Sequence, residues 1–241
     1  MTAVKTEAVE YRDGDVVLEG YLAYDDATAG RRPGVLIVHE WWGLSEHPRN
    51  VAERLAGLGY AAFALDMYGK GKVTTNSQEA GAWAGQFRRD VGLAERRFRA
   101  GLAAMQAAPV VDGSRIVAIG YCFGGGMCLE MARLGVDVLG VVSFHGGLAS
   151  NLPPAERKLT AKILVCHGAD DPAVPPKDIN AFIEEMRRAG ADWQMNIYGN
   201  AVHSFTNPAA NSERARYNEK ADRRSWQALK SFLSECFAES E

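Results

Sequence analysis

Apolar residues are interspersed with polar ones in "TEAVEY" and "VVLEGYLAY", and "RDGD" separates the two runs. Two such runs around an Asp/Gly turn predict an antiparallel hairpin over residues 4–24, with Asp13-Gly14 at the turn. The pattern then changes. "GVLIVH" (34–39) is almost wholly apolar, as in a parallel strand covered on both faces. "NVAERLAGLG" has helical spacing and closes on Gly59. "YAAFALD" (60–66) is the next strand, and Ser77 to Ala107 has a helical period with a break near Asp90. "RIVAIG" (115–120) predicts a third buried strand and Phe123 to Leu134 a helix. Strands follow over "VLGVVSFH" (138–145), "AKILVCHG" (161–168) and "WQMNIY" (193–198), with helices over Lys177–Ala189 and Arg214–Phe237.

Strand and helix therefore alternate behind an N-terminal hairpin. That order predicts one α/β domain over residues 1–241, with a mostly parallel, doubly wound sheet and helices on both faces. The long irregular segment, Met67 to Asn76, is expected to be a loop near the mouth of a site.

Composition narrows the function classes. The 241 residues carry a net charge of −3, and 47% are apolar, enough for a large core. No basic block stands clear of apolar residues, which argues against nucleic acid. "RRDVGLAERRFRA" (88–100) is interrupted by Val91, Leu93, Ala94 and Phe98, and reads as one solvated helix face. No apolar run reaches the roughly 18 residues of a membrane span. Glu7 and Glu10 stand where a signal peptide needs an apolar core, so a cytoplasmic protein is expected. The four cysteines, Cys122, Cys128, Cys166 and Cys236, match no zinc spacing and are expected to be free thiols.

The candidate chemistry lies in "RIVAIGYCFGGGM". A strand, then Gly-x-nucleophile-x-Gly, then a helix is a nucleophile elbow, here with Cys122 in the reactive position. Gly120, Gly124 and Gly125 relieve crowding around the strained turn. The helix N-terminus favours a thiolate, and the Phe123 N–H is placed to stabilise an oxyanion. On this fold an acid and then a histidine should follow the nucleophile. "GADDPAVP" supplies Asp170-Asp171, and His203 in "GNAVHSF" is the one histidine after that pair. Asp171 is preferred because it heads the turn leading to the next helix. His167, in an "HG" turn, is expected to shape its loop. A second oxyanion donor should follow an early strand, and the Trp41 N–H in "HEWWG" fits. Glu40 beside it is a costly carboxylate that needs a partner: nearby backbone, an arginine or the catalytic thiol.

"HEWWG", "GYCFGG", "GADDPAVP" and "HSF", in this order, resemble the dienelactone hydrolase family over nearly the whole chain. The resemblance implies Cys122 as nucleophile, Asp171 and His203 as its partners, and Glu40 as the carboxylate that holds the resting thiol. It implies Phe123 and Trp41 as oxyanion donors and places His145 where members can have a pocket-lining aromatic. Ser204, Asn207 and Trp83 are the further candidate substrate contacts. Asn207 stands where archetypal members hold a substrate carboxylate with arginine, and Arg88 and Arg89 are only near the other expected arginine. The expected activity is hydrolysis of a small ester or lactone through a thioester, with no metal or organic cofactor, by a monomer or small homo-oligomer. A cysteine amidase or peptidase, a non-catalytic binding module and a thiol redox sensor are the alternatives. Cys128, six residues past Cys122, is no close resolving thiol.

Overall fold

The computed structural model describes residues 4–150, 152 and 159–238. The eight strands have the order β1-β2-β4-β3-β5-β6-β7-β8. Two compact units share them, Met1–Ala118 and Ile119–Glu241, and β5 (Val111–Tyr121) runs from the first into the second.

In the first unit β1 (Val4–Asp13) and β2 (Val16–Asp25) form the expected antiparallel hairpin, with Asp13 opposite Val16. The turn is therefore Gly14-Asp15, one residue later than expected, and Gly14 takes its left-handed conformation at φ 57°. β3 (Arg32–Val38) and β4 (Ala61–Leu65) pair in parallel, and β2 joins β4 antiparallel. Residues Val35–Val38 and Ala61–Leu65 are fully buried, which is why neither strand alternates. α1 (Glu46–Ala56) buries Val51, Ala52, Leu55 and Ala56, the spacing of one helix face.

The predicted break near Asp90 is real. α2 (Ser77–Arg89) ends and α3 (Val91–Ala107) begins there, because the Asp90 carboxylate accepts from the Leu93 N–H at 2.8 Å and caps α3. The Arg-rich segment is not one solvated face, however. Arg97 is buried and its Nε lies 3.1 Å from Asp13 Oδ2, an ion pair with the hairpin end. Met67 to Asn76 is irregular as expected. Its entry is held by Asp66, whose Oδ1 accepts from the N–H groups of Tyr68 (2.8 Å) and Gly69 (2.9 Å).

In the second unit α4 (Phe123–Leu134) follows β5 directly. β6 (Gly140–Phe144), β7 (Lys162–Gly168) and β8 (Trp193–Tyr198) pair in parallel, one after the other. α5 (Pro176–Arg188) lies between β7 and β8 in the chain. α6 (Glu219–Ala238) starts five residues later than the sequence pattern indicated. The backbone of 211–218 is occupied elsewhere: Arg216 N–H donates to the His203 carbonyl (3.0 Å) and Asn218 N–H to that of Phe205 (3.0 Å). Among the described residues all four cysteines are free thiols, no helix is long and apolar enough to cross a membrane, and no His/Cys/Asp/Glu group could hold a metal.

Candidate active site

Cys122 stands between β5 and α4 at φ 54°, ψ −113°, a conformation that side-chain-bearing residues rarely adopt. Its neighbours make the turn possible. A Cβ on Gly120 would lie 2.1 Å from the Gly124 carbonyl oxygen, so only glycine admits this approach of strand end to helix start. The thiol is half-buried, and Phe123 opens the first turn of α4.

Two loops converge on that thiol. After β7, Asp171 is buried; its Oδ1 accepts from the Ala173 N–H at 2.8 Å, and its Oδ2 lies 2.8 Å from His203 Nδ1. After β8, His203 turns its Nε2 to within 3.0 Å of Cys122 Sγ. The loops are tied by their backbones, since the Asp170 N–H donates to the Ala201 carbonyl at 3.0 Å. A Cβ at Gly168 would come 2.5 Å from that carbonyl oxygen, which accounts for the glycine in "HG". Asp170 itself is exposed.

Burial of the His203 ring opposes its charge. The hydrogen bonds to Asp171 and Cys122, and the negative charges of both, outweigh it and carry its pKa up to about 10. The geometry thus places the His203 ring within hydrogen-bond reach of the Asp171 carboxylate on one side and of the Cys122 sulfur on the other. His167 lies inside β7, where burial lowers its pKa and favours the neutral ring.

The other sequence-derived residues fall in different settings. His145 is fully buried, with Nδ1 3.2 Å from the Cys122 N and Nε2 2.8 Å from Thr206 Oγ1. Ser204 is buried at φ 54°, and its carbonyl accepts from the Asn207 N–H at 3.0 Å. Asn207 Oδ1 accepts from the Ala209 N–H at 3.0 Å, closing its own turn. In the first unit Glu40 is buried, with Oε2 3.4 Å from His47 Nδ1. Its carbonyl meets His39 Nδ1 at 2.5 Å, while His39 Nε2 accepts from the Met67 N–H at 3.2 Å. That pattern requires a neutral His39, and burial pushes its pKa down accordingly. The Trp41 ring lies 4.7 Å from that of Trp42, and its carbonyl accepts from Tyr68 Oη at 3.2 Å. Trp83 of α2 packs edge-on against Tyr68 at 5.5 Å, and Arg88 and Arg89 lie exposed at the end of α2. Thr206 escaped the sequence reading, because nothing in "HSFTN" marks the threonine as the partner of a distant histidine.

Comparison with known proteins agrees with the motif order. The model of the dienelactone hydrolase family matches residues 18–237. The crystal structure of a dienelactone hydrolase-like promiscuous phosphotriesterase from metagenomic libraries superposes with a TM-score of 0.93. It is 40% identical and covers 97% of this chain and 99% of its own. An uncharacterised protein of Caenorhabditis elegans is 37% identical over 152 residues, 61% of this chain and 96% of the relative. A candidate carboxymethylenebutenolidase of Synechocystis is 26% identical over 94% of this chain and 95% of its own.

Proposed function

The chain belongs to the dienelactone hydrolase family and is a hydrolase; on that premise we propose that it cleaves a small ester or lactone with Cys122 as nucleophile. The observation that carries this reading is the chain of contacts Cys122 Sγ to His203 Nε2 at 3.0 Å and His203 Nδ1 to Asp171 Oδ2 at 2.8 Å. The Cys122 thiolate attacks the acyl carbon, and the oxyanion is received by the Phe123 N–H at the start of α4. The resemblance assigns Trp41 the part of second donor and Glu40 control of the resting thiol. The leaving alkoxide takes the proton from His203 Nε2, giving an alcohol and a Cys122 thioester. With the thiolate charge gone, His203 is a neutral base. It takes a proton from water, hydroxide equivalent adds to the thioester, and the acid is released as the thiolate and imidazolium re-form. Asp171 holds the Nδ1–H throughout.

No metal or organic cofactor enters this cycle, and the enzyme works as one domain, as a monomer or small homo-oligomer in the cytoplasm. Because Asn207 stands where the resemblance expects an arginine, discrimination in favour of carboxylate-bearing lactones is weaker than the resemblance implies. A second reading is favoured by the 40% identity to a promiscuous phosphotriesterase: attack of Cys122 on phosphorus with loss of an aryloxide.

The test is a panel of lactones, short esters, matched amides and a dialkyl aryl phosphate, assayed with Cys122→Ala and His203→Ala. We expect ester or lactone turnover that falls by about 10³-fold or more in each variant. Near-normal turnover in either variant, with circular dichroism unchanged, would overturn the assignment. Faster turnover of the amides or the phosphate would displace the ester reading instead.

A further inference from the structure

We propose that His145 is a positioning residue: its neutral imidazole, fixed in one tautomer by Thr206, ties the backbone of the nucleophile Cys122 to the loop that carries His203. The proposal rests on the reading of Cys122 as nucleophile and His203 as base.

His145 follows β6 and has φ 41°, in the left-handed region that costs energy for a residue with a β-carbon. Its own N–H donates to the Cys166 carbonyl at 2.9 Å, which holds the backbone in that form. The side chain is thereby turned beneath the elbow and is fully buried. The Cys122 N–H is shared there between the Phe144 carbonyl (3.0 Å) and His145 Nδ1 (3.2 Å). An amide N–H only donates, so Nδ1 carries the lone pair. A neutral ring then has its proton on Nε2 and donates it to Thr206 Oγ1 at 2.8 Å. Thr206 lies three residues after the catalytic base on the same loop. The His145 ring also meets the rings of His203 and Phe205 edge-on, both at 5.2 Å.

One ring thus touches the nucleophile's amide, the base's ring and the base's loop. Packing alone does not call for this. The Phe144 carbonyl already accepts from Cys122 N–H, and an apolar side chain would fill the space without needing a fixed tautomer. A polar ring satisfied at both nitrogens fixes the distance between the two elements that bring Sγ and Nε2 together. Small errors in that distance are amplified in the rate.

The experiment uses four variants of the full chain: His145→Leu, His145→Asn, Thr206→Val and Thr206→Ser. The readouts are kcat and KM on the best ester, the pH profile of Cys122 alkylation by iodoacetamide, and circular dichroism. His145→Leu should lower kcat about 10- to 100-fold and Thr206→Val by a few-fold, with KM little changed. Alkylation of Cys122 at neutral pH should slow in both, because His203 is no longer held against the sulfur. His145→Asn, which keeps an acceptor for Cys122 N–H, and Thr206→Ser, which keeps the hydroxyl, should recover much of the loss. Wild-type kcat and alkylation profile in folded His145→Leu and Thr206→Val would overturn the proposal. So would a fall in kcat with an unmoved profile, which marks packing alone. If His145→Leu does not fold, the Thr206 pair decides by the same criteria. Alkylation needs no substrate, so it tests His145 even if the ester is wrongly chosen. Turnover surviving in Cys122→Ala would instead sink the nucleophile assignment.

Discussion

His203, the proposed base, is a residue whose ionisation bears on stability. Its ordinary value is 6.5, and in the folded chain it is carried up to about 10. The folded state therefore binds this proton more tightly than the unfolded chain. The stability so gained is fully present below the unfolded value and is lost as pH rises through the folded one. We expect the urea midpoint of the wild type to fall between about pH 7 and pH 10.5 more steeply than that of His203→Gln. Parallel curves for the two proteins would contradict the imidazolium assignment.

At the scale of elements, the helix that presents Cys122 is fastened to the helix that follows Asp171. Arg133 of α4 is buried and grips Glu185 of α5 with two hydrogen bonds of 2.8 Å, from Nε and Nη2. Its Nη2 also donates to the Leu148 carbonyl at 2.9 Å, and Nη1 lies 3.3 Å from Glu130 Oε1. Burial raises the Glu130 pKa, and Arg133 opposes that rise. Such a cluster stabilises little against an apolar replacement of equal size, but removing one partner leaves charges buried alone. Arg133→Met should therefore cost about 3–5 kcal/mol in urea unfolding. The triple variant Glu130→Leu/Arg133→Met/Glu185→Leu should recover most of it. A loss below about 1 kcal/mol in the single variant, the range of surface pairs, would show that the cluster is not buried in solution.

At the scale of the molecule, β5 is the shared part. Its first eight residues, Val111–Ala118, belong to one unit, and Ile119–Tyr121 to the other. A boundary inside a buried strand is no linker, which in ordinary two-domain chains is exposed and polar. The family model, matching residues 18–237, also spans both. We therefore expect the fragments Met1–Ala118 and Ile119–Glu241, expressed separately, to lack cooperative thermal transitions, while the full chain melts once. Either fragment melting cooperatively alone would show two independent domains. Cutting there would also strip the elbow of the strand that aims Cys122.

The elements most legible in the sequence are those whose signals are local. β8 and α4 begin and end where the pattern placed them, and Asp90 announced the break between α2 and α3 through its own capping side chain. The residues proposed here as a triad are singled out by type and order: a glycine-flanked cysteine, an acid at a strand end, and a single later histidine. What periodicity could not carry is any contact between residues distant in the chain. Arg97 left the solvated face because Asp13 of the hairpin lies against it. α6 starts late because 215–218 hold the His203 loop through their backbone. His145 and Thr206, 61 positions apart, share a hydrogen bond that leaves no trace in either segment. Local pattern and capping determine which stretches become strand or helix, because those energies act within a few residues. Which polar side chains meet is decided only when burial removes water as a partner and tertiary packing offers another.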